Sequence, residues 1–542
     1  MNPDRGLYYA KKRYDGASIL PFAEAEPFLP HPIIEGKPEW VSLYWFALKI
    51  LYSHCKVPQE GSGFVSNFVD AAFNKNIFLW DTCFMTVFCN MVDQYVPGIC
   101  SLDNFYAKQH ADGEICREIV QESGEDFSCW VNQYNAPLYS YFHNHYGYRS
   151  LLKLQKPSFE SLYKPDLGRV VKKHPILTLD ALNHPLLAFA EWQHYLQTAD
   201  VRRLSQVYEA LYNQYAALVY HIRHACGLYV TDWASMDNSP RNKDLFLGVD
   251  ISSEMVLFAD ELIQIFRVLA QAGFSVHDYE NRMARLKKER AETARQIRSL
   301  MWDENSGFFY DLDAHFQQIR IKTAAAFWTL ISKVATPEQQ KRLIWYLNDP
   351  KTFNRLHRVP VLAADEKEYE IKGGYWKGSV WAPINTMVVL GLEECGYYNL
   401  AHEIAINDVE ITSQVFSSTG TIWENYPADE ASSGESDHPD FVGWSGMAPI
   451  FFTLVYGIGL NAHQKPEVLV WNLDEKLLQK GAVGCNHYTF WGKRADFHAR
   501  VDQTTLTIAV NTDDSFFLEV RYKTYTFSYQ IQGSARLVEE MS

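Results

Sequence analysis

This 542-residue chain carries two carboxylate residues, on separate loops, that are candidates for acid–base chemistry. Asp237 lies in the tryptophan-containing stretch 231–241, and Glu424 stands between Trp423 and Tyr426. Hydrolysis of a glycosidic bond needs a carboxylic acid that protonates the leaving oxygen and a carboxylate that activates water, and apolar walls keep the acid protonated. Asp237 and Glu424 fit those requirements as a pair. Taken singly, each is better explained as a helix cap or a turn residue.

An aromatic-rich stretch lies between the two carboxylates. Residues 375–385 read Tyr-Trp-Lys-Gly-Ser-Val-Trp-Ala-Pro-Ile-Asn and lead into an apolar run, 386–392, that predicts a helix. Aromatic planes at the start of a helix suit a ligand with flat apolar faces ringed by hydroxyls, as in a sugar. Core packing explains the same residues, because most buried tryptophans pack in cores.

Composition narrows the class of protein. Hydrophobic residues make up 47% and aromatic residues 15% of the chain, which is enough for a large core and excludes a disordered protein. The net charge of -15 and the absence of a Lys/Arg block argue against a nucleic-acid partner. Nine scattered cysteines without a CxxC pair predict neither a disulfide framework nor a metal site. With no signal-like or membrane-spanning apolar stretch, we expect a soluble, cytoplasmic protein with no membrane partner.

Helical spacing recurs along most of the chain. Apolar residues three and four apart begin at Glu39 and return at 186–196, 204–222, 255–269, 279–301, 324–334, 339–347, 380–392, 400–415 and 447–460. Long loops rich in Gly, Asp, Trp and Pro separate the helices, at 103–118, 226–250, 303–316, 354–378 and 417–446. Helical hairpins separated by long loops predict a mainly α fold, an (α/α)6 toroid or six-hairpin barrel, whose loops share one face. An open solenoid would show a repeat motif, and none is visible.

The last part of the chain has strand character. Alternating or β-branched and aromatic residues occupy 468–473, 487–491, 504–510, 516–522 and 525–531, with a hairpin turn at 511–514. We therefore expect an (α/α)6 catalytic domain at 39–464 and a small antiparallel β domain at 465–542. Residues 1–38 hold several prolines and predict an extended lead-in that wraps on the main body.

Five short blocks follow one another between residues 78 and 445. They read Phe-Leu-Trp-Asp at 78–81, Asp-Gly-Glu-Ile-Cys-Arg-Glu at 112–118, Met-Asp-Asn-Ser-Pro-Arg at 236–241, Tyr-Trp-Lys-Gly-Ser-Val-Trp at 375–381, and Glu-Asn-Tyr at 424–426 followed by Phe-Val-Gly-Trp-Ser at 441–445. In this order, the blocks resemble glycoside hydrolase family 63, a relative of the trehalases and glucoamylase-like (α/α)6 enzymes. The resemblance covers the helical body and neither end.

The resemblance implies a role for each matching position. It implies that Asp237 is the general acid and Glu424 the general base of an inverting enzyme, in which the two carboxyl groups lie about 6.5 to 9.5 Å apart. It also implies that Asp81 hydrogen-bonds two sugar hydroxyls. The other substrate-binding matches are Trp80, Asp112, Arg117, Asn238, Arg241, Tyr375, Trp376, Trp381 and Trp444. Among these, Trp376, Trp381 and Trp444 match walls of the nonreducing-end subsite, so we assign Trp376 and Trp381 to the sugar instead of the core.

Two positions depart from the family pattern. Ser235 stands where the family has Gly two residues before the acid, and Lys377-Gly378-Ser379 stands where it has Arg-Gly-Pro. Both differences bear on the shape of the pocket, so the resemblance leaves the sugar open.

These observations predict an inverting, exo-acting glycoside hydrolase that cleaves α-glucosidic or α-mannosidic bonds of small saccharides or glycosides. The reaction needs no cofactor, and the sequence contains no Gly-rich phosphate loop, Ser nucleophile elbow or Cys/His pair that indicates other chemistry. The alternatives are a sugar epimerase or isomerase on the same toroid, a non-catalytic carbohydrate-binding protein, and a helical scaffold for protein partners. A small-molecule carbohydrate is the expected ligand.

Overall fold

Ten helices of eight or more residues lie in the part of the chain that the structure describes. The structure, a computed structural model, describes residues 5–10, 13–71, 74–111, 113–126, 184–231, 236–241, 246–313, 315–436, 438–445, 458–460 and 468–541. The helices are α1 (Pro38–Ser53), α2 (Leu79–Cys89), α3 (Ser101–Lys108), α4 (Leu187–Thr198), α5 (Val201–Ile222), α6 (Val249–Gln271), α7 (Tyr279–Gln296), α8 (Pro337–Asn348), α9 (Ala382–Glu394) and α10 (Tyr398–Thr419). The mainly α class predicted from apolar spacing is confirmed.

The helices pack by the apolar stripes that their spacing creates. Helix α6 packs against α4, α5 and α7, α2 packs against α4, and α9 packs against α10. Helix α10 also packs against α1, so the last long helix of the described body meets the first. The stripe of α1 is buried at Trp40, Leu43, Ala47 and Leu51, the residues whose spacing predicted the helix.

Three predicted elements differ from the structure. Residues 101–108, predicted in part as loop, form α3, because Leu102, Phe105 and Tyr106 are three and four apart and all buried. The predicted helix at 324–334 is a 3-10 turn, Ala324–Phe327, followed by the short helix Trp328–Ile331. Residues 458–460, predicted as the end of a helix, form a strand, and residues 447–457 of that prediction lie outside the described residues.

Two sheets occupy the C-terminal region. Their strands are β1 (His31–Ile34), β2 (Ile458–Leu460), β3 (Val468–Leu473), β4 (Val483–Phe490), β5 (Lys493–Asp502), β6 (Thr505–Asn511), β7 (Ser515–Tyr522), β8 (Tyr525–Gln532) and β9 (Ala535–Glu540). One sheet has the order β1-β4-β5-β6-β9 and the other β2-β3-β7-β8. Trp471 of β3 packs edge-on against Phe497 of β5, with ring centroids 5.6 Å apart, so side chains from both sheets meet in one apolar layer.

Two features of these sheets were not predicted: one parallel strand pair and one strand from the N-terminal segment. Strands β3 and β7 pair in parallel, from Val468 opposite Phe517 to Leu473 opposite Tyr522. Parallel neighbours need a long crossover, and the three strands β4 to β6 of the other sheet supply it. Strand β1 comes from the predicted N-terminal lead-in and pairs antiparallel with β4, His31 opposite Asn486.

Short strand pairs hold the loops that carry the predicted site residues. Asn76–Phe78 pairs with Glu118–Val120, beside Trp80 and Arg117. Val230–Thr231 pairs with Phe246–Leu247, on either side of the Asp237 loop. Ser379–Val380 pairs with Tyr426–Pro427, which brings the tryptophan stretch next to Glu424. Each loop is therefore fixed at its base by backbone hydrogen bonds.

Candidate active site

Asp81 lies in the first turn of α2, within electrostatic reach of other predicted site residues. The Leu79 N–H donates to the Arg117 carbonyl at 2.8 Å, which ties the start of this helix to the Arg117 strand. Burial raises the pKa of Asp81 to about 7, with the Arg117 charge opposing this rise and the charges of Glu118 and Asp237 adding to it. A carboxyl group with such a pKa is partly protonated near neutrality, so it can both donate and accept hydrogen bonds.

Gly443 lies directly against Asp81. A Cβ atom at Gly443 would lie 3.1 Å from Asp81 Oδ1 and 2.6 Å from the Phe441 ring. The Gly443 N–H donates to the Ala71 carbonyl at 3.3 Å. The Phe-Val-Gly-Trp-Ser block therefore needs glycine at this position so that its backbone can approach the carboxyl group.

The Asp237 turn is joined to the tryptophan stretch by its neighbour Asn238. The Asn238 side-chain amide donates to the Gly374 carbonyl at 3.1 Å, and the Trp376 N–H donates to Asn238 Oδ1 at 2.8 Å. Asn238, predicted to bind substrate, thus holds the two loops together. Burial raises the pKa of Asp237 above its ordinary value, against the opposing effects of Arg117, a hydrogen bond from Tyr375 and His184. A raised pKa is what a general acid needs near neutral pH.

Tyr375 contacts Asp237 and is influenced by the charges of two further carboxylates. Its hydroxyl donates to Asp237 Oδ2 at 3.5 Å. Burial raises the Tyr375 pKa above its ordinary value, and the charges of Glu424, Asp237 and Asp81 raise it further, so its hydroxyl lies within electrostatic reach of all three. Tyr375 has a φ of 63°, in the left-handed region that non-glycine residues seldom adopt. Such strain is characteristic of residues held in place at functional sites.

Glu424 is buried. In the sequence it follows the tryptophan stretch, whereas Asp237 precedes it. Glu424 is only 8% exposed, and the Asn425 side-chain amide donates to Glu424 Oε2 at 3.4 Å. The Glu424 N–H donates to the His438 carbonyl at 3.2 Å, which fixes the backbone of the loop. Its position near the Tyr375 hydroxyl brings a residue 187 positions from Asp237 to the same cluster.

The two predicted tryptophan walls stack on each other. Trp376 and Trp381 have ring centroids 4.0 Å apart and an interplanar angle of 13°, and Tyr375 meets Trp381 edge-on at 4.9 Å. Trp376 is 4% and Trp381 2% exposed. This stacking leaves little of either ring open to solvent, so the pair stiffens the loop that carries Tyr375.

A buried His184–Glu254 pair adjoins this cluster, and the sequence analysis missed it. His184 Nδ1 lies 2.6 Å from Glu254 Oε1, and the imidazole stacks on Trp80 with centroids 4.3 Å apart. The His184 charge lowers the pKa of Asp237, so the ring lies near the proposed acid. Neither residue stands in a local motif, and they are 70 positions apart, so no sequence pattern identifies the pair.

Arg241, predicted to bind substrate, is buried and bound to two carboxylates. Its guanidinium donates to both oxygens of Asp250, at 2.7 and 2.9 Å, and to Asp311 Oδ1 at 2.7 Å. Burial favours a protonated Asp250, but the Arg241 charge and hydrogen bonds outweigh it and lower the Asp250 pKa below its ordinary value. With its guanidinium bound to two buried carboxylates, Arg241 anchors the end of the Asp237 turn.

We expect Arg241→Leu to lower the free energy of unfolding by about 3–5 kcal/mol, because it leaves two buried carboxylates without their cation. Urea unfolding followed by circular dichroism measures this loss. The control is Arg500→Leu, which removes a surface ion pair to Glu35 and should cost no more than about 1 kcal/mol. Equal losses in the two variants would show that the buried pairing contributes nothing particular.

The Asp81 carboxyl gives a second expectation, for stability against pH. Its pKa is about 7 in the folded protein and 3.8 ordinarily, so folding is weakened as pH rises from about 4 to about 7. Asp81→Asn cannot ionise, and we expect it to be more stable than the parent at pH 8 by on the order of a few kcal/mol, with little difference at pH 4. Thermal unfolding at the two pH values tests this, with exposed Asp502→Asn as control. The same stability difference at both pH values would contradict it.

Two predicted residues are described incompletely. Asp112 lies outside the described residues. Trp444 lies in the short helix Val442–Ser445, and its side chain is outside the described part of the structure. Within the described ranges, no group of three or more His, Cys, Asp or Glu side chains is placed to hold a metal ion. No described helix is long and apolar enough to span a membrane.

Comparison with known proteins places the chain in a class. Residues 173–445 match the model of the mannosylglycerate hydrolase MGH1-like glycoside hydrolase domain. The chain is 30% identical over 269 residues to an uncharacterized protein of Borreliella burgdorferi, covering 48% of this chain and 55% of that protein. It is 22% identical over 194 residues to the trehalase of Oryctolagus cuniculus, covering 34% of this chain and 32% of the trehalase. The chain thus spans about half or less of the length of these curated relatives.

Solved structures share the fold. A GH63 mannosylglycerate hydrolase from Thermus thermophilus, in complex with glucose, has a TM-score of 0.54 and 16% identity, covering 76% of this chain and all of that one. An alpha-L-rhamnosidase from Dictyoglumus thermophilum has a TM-score of 0.56 and 10% identity, covering 94% of this chain and 50% of that one. Because the family model spans half of the sequence, the chain belongs to the MGH1-like glycoside hydrolase domain family, and the resemblance to family 63 is confirmed.

Proposed function

We propose that this protein is an inverting, exo-acting glycoside hydrolase that cleaves α-glucosidic or α-mannosidic bonds of small saccharides or glycosides. The observation that carries the proposal is the Tyr375 hydroxyl, which donates to Asp237 Oδ2 and whose pKa is raised further by the charges of Asp81, Asp237 and Glu424. These carboxyl groups come from three segments far apart in sequence. Family membership supports the same chemistry.

In the proposed reaction, two protons move. Asp237, whose pKa burial raises, gives its proton to the leaving glycosidic oxygen. Glu424 takes a proton from a water molecule as that water attacks the anomeric carbon from the opposite face. A separation of about 6.5 to 9.5 Å between the two carboxyl groups leaves room for the water and inverts the configuration. The Tyr375 hydroxyl, held by the strained backbone, orients Asp237.

The remaining polar groups are proposed to bind the sugar. Asp81 lies at the start of α2 and would bind two hydroxyls, beside Trp80 and Arg117. The neighbouring Trp376 and Trp381 pair would contribute an edge of the wall, together with Trp444. This arrangement requires no cofactor.

We also propose that the helices form an (α/α)6 toroid whose loops carry the site. The contact of α10 with α1 supports closure of a ring. On this proposal, residues 39–464 make the catalytic domain and 465–542 the β domain, with β1 of the 1–38 lead-in added to its edge.

A product-stereochemistry experiment tests the proposed function. The protein is incubated with trehalose, α-mannosyl glycerate, α-glucosyl glycerate and small α-glycosides, and the anomeric proton of the fresh product is followed by NMR. We expect release of a β-configured monosaccharide from at least one substrate before mutarotation. Release of the α-anomer would overturn inversion. Conversion of a free sugar without bond cleavage would indicate an epimerase, and binding without turnover a carbohydrate-binding protein.

A further inference from the structure

A second cleft lies between the helical body and the C-terminal sheets. Its volume is about 830 Å³, within the range of small-molecule sites. Residues near the C-terminal ends of α4 and α6 form one side, and residues from β5, β7 and β8 form the other. None of the residues predicted from the sequence to bind substrate lines it.

Helix α6 runs from the candidate active site to the cleft, and the two sites lie well apart along it. Glu254, the partner of His184, lies near the start of α6, and Arg267, which lines the cleft, follows 13 residues later. At 1.5 Å per residue, this separation is about 20 Å. The cleft and the candidate active site therefore use different stretches of the same helix.

The charge of the cleft is opposite to that of the whole chain. Arg267, Lys333 and Lys493 line it, and no described lining residue is Asp or Glu, although the chain carries a net charge of -15. Lys333 is paired with Glu394 at 2.7 Å, and Lys493 donates to the Ser515 carbonyl. Arg267 is exposed to solvent and makes no ion pair with a described residue. The cleft thus presents cationic groups that are not fully neutralised.

Aromatic and amide groups complete the lining. Trp192 comes from α4, and Trp491 follows β4, where its indole N–H donates to the Leu196 carbonyl at 2.9 Å. This hydrogen bond fixes the Trp491 ring between helix and sheet. Gln264 and Gln530 add neutral donors and acceptors from opposite sides. Aromatic faces with amides suit a sugar ring, and cations suit an acidic substituent.

We propose that this cleft binds an anionic monosaccharide, a sugar ring that carries a phosphate or carboxylate group. The acidic group lies by Arg267 and Lys493, and the ring packs against the accessible aromatic side chains of the cleft, Trp491 and Phe517. This is a binding site apart from the catalytic cluster, and it does not rest on the proposed hydrolysis.

Calorimetry with four probes tests the proposal: glucose 6-phosphate, glucuronate, glucose and inorganic phosphate. We expect at least one of the two anionic sugars to bind at least about tenfold more tightly than glucose and inorganic phosphate, with an affinity that falls as salt is added. Preference for glucose 6-phosphate or for glucuronate identifies the acidic group. Equal binding of glucose would overturn the role of the cations, equal binding of inorganic phosphate would overturn the role of the ring, and no binding of either anionic sugar would overturn the site.

Variants place the binding in the cleft. The double variant Arg267→Gln, Lys493→Gln should weaken binding of the anionic sugar at least tenfold, and Arg267→Glu alone should do the same if the double variant folds poorly. Exposed Arg202→Gln, with the same loss of one arginine charge, is the control and should bind as the parent does. Unchanged affinity in folded cleft variants would overturn the proposal. Hydrolysis by these variants is measured separately, so failure here leaves the proposed function standing.

Discussion

Asp237→Asn is expected to lower kcat by roughly 10²- to 10⁴-fold on a glycoside with a poor leaving group. The amide has nearly the same shape as the carboxyl group, but it has no acidic proton to give to the leaving oxygen. Because burial raises the Asp237 pKa, the parent should lose activity as pH rises through that pKa, and the variant should lack this decline. Steady-state rates between pH 4 and 9 measure both effects.

The leaving group provides a control for this result. The nitrophenolate group of a nitrophenyl glycoside can leave without being protonated. Asp237→Asn should therefore lose much less activity on this substrate than on an alkyl glycoside. Asp513→Asn, in an exposed turn of the C-terminal region, should behave as the parent on both. Near-parent activity of Asp237→Asn on the alkyl glycoside would remove Asp237 from the role of acid.

Glu424→Gln is expected to reduce kcat by a comparable factor, roughly 10²- to 10⁴-fold, on every glycoside, including those with good leaving groups. The missing function is proton removal from water, which the leaving group cannot replace. The decline in activity toward low pH that comes from protonation of the base should disappear with it. The pH profile and the substrate series together distinguish Glu424→Gln from Asp237→Asn.

A small anionic nucleophile gives the matching control for Glu424→Gln. Azide needs no deprotonation, so it should restore turnover and form a glycosyl azide of inverted configuration. The control is Gln414→Glu at an exposed position of α10, which makes the reverse exchange of Gln for Glu. It should leave turnover unchanged. If azide has no effect and the pH profile of Glu424→Gln matches the parent, Glu424 is not the base.

The sequence predicted those elements that depend only on the spacing of residues within one segment. Helix α5 was predictable because its 22 residues repeat one apolar stripe. Helix α3 was not predicted, since its two turns lie in a segment whose Gly and Asp content indicates loop. The parallel pairing of β3 with β7 depends on which sheet each intervening strand joins, and strand propensity does not carry that information.

The same division applies to the candidate site. Asp237 and Glu424 could be singled out because the segments that carry them also hold tryptophan and match two blocks of the family pattern. The burial of Arg241 could not, because its partners Asp250 and Asp311 are brought to it by folding. The His184–Glu254 pair also depends on tertiary contact. Residue type identifies groups that can do chemistry, whereas their pKa values and partners depend on the folded surroundings.

The pairing of β1 with β4 has a consequence for biosynthesis. Residues 31–34 and 483–486 are neighbours in one sheet, although about 450 positions separate them. During translation, β1 leaves the ribosome long before its partner has been made, and at 5–20 residues per second the wait is on the order of half a minute or more. Its unpaired backbone edge is exposed during that time to other chains or to chaperones. We therefore expect the sheet to be completed after synthesis of the helical body, as a late, slow step of folding.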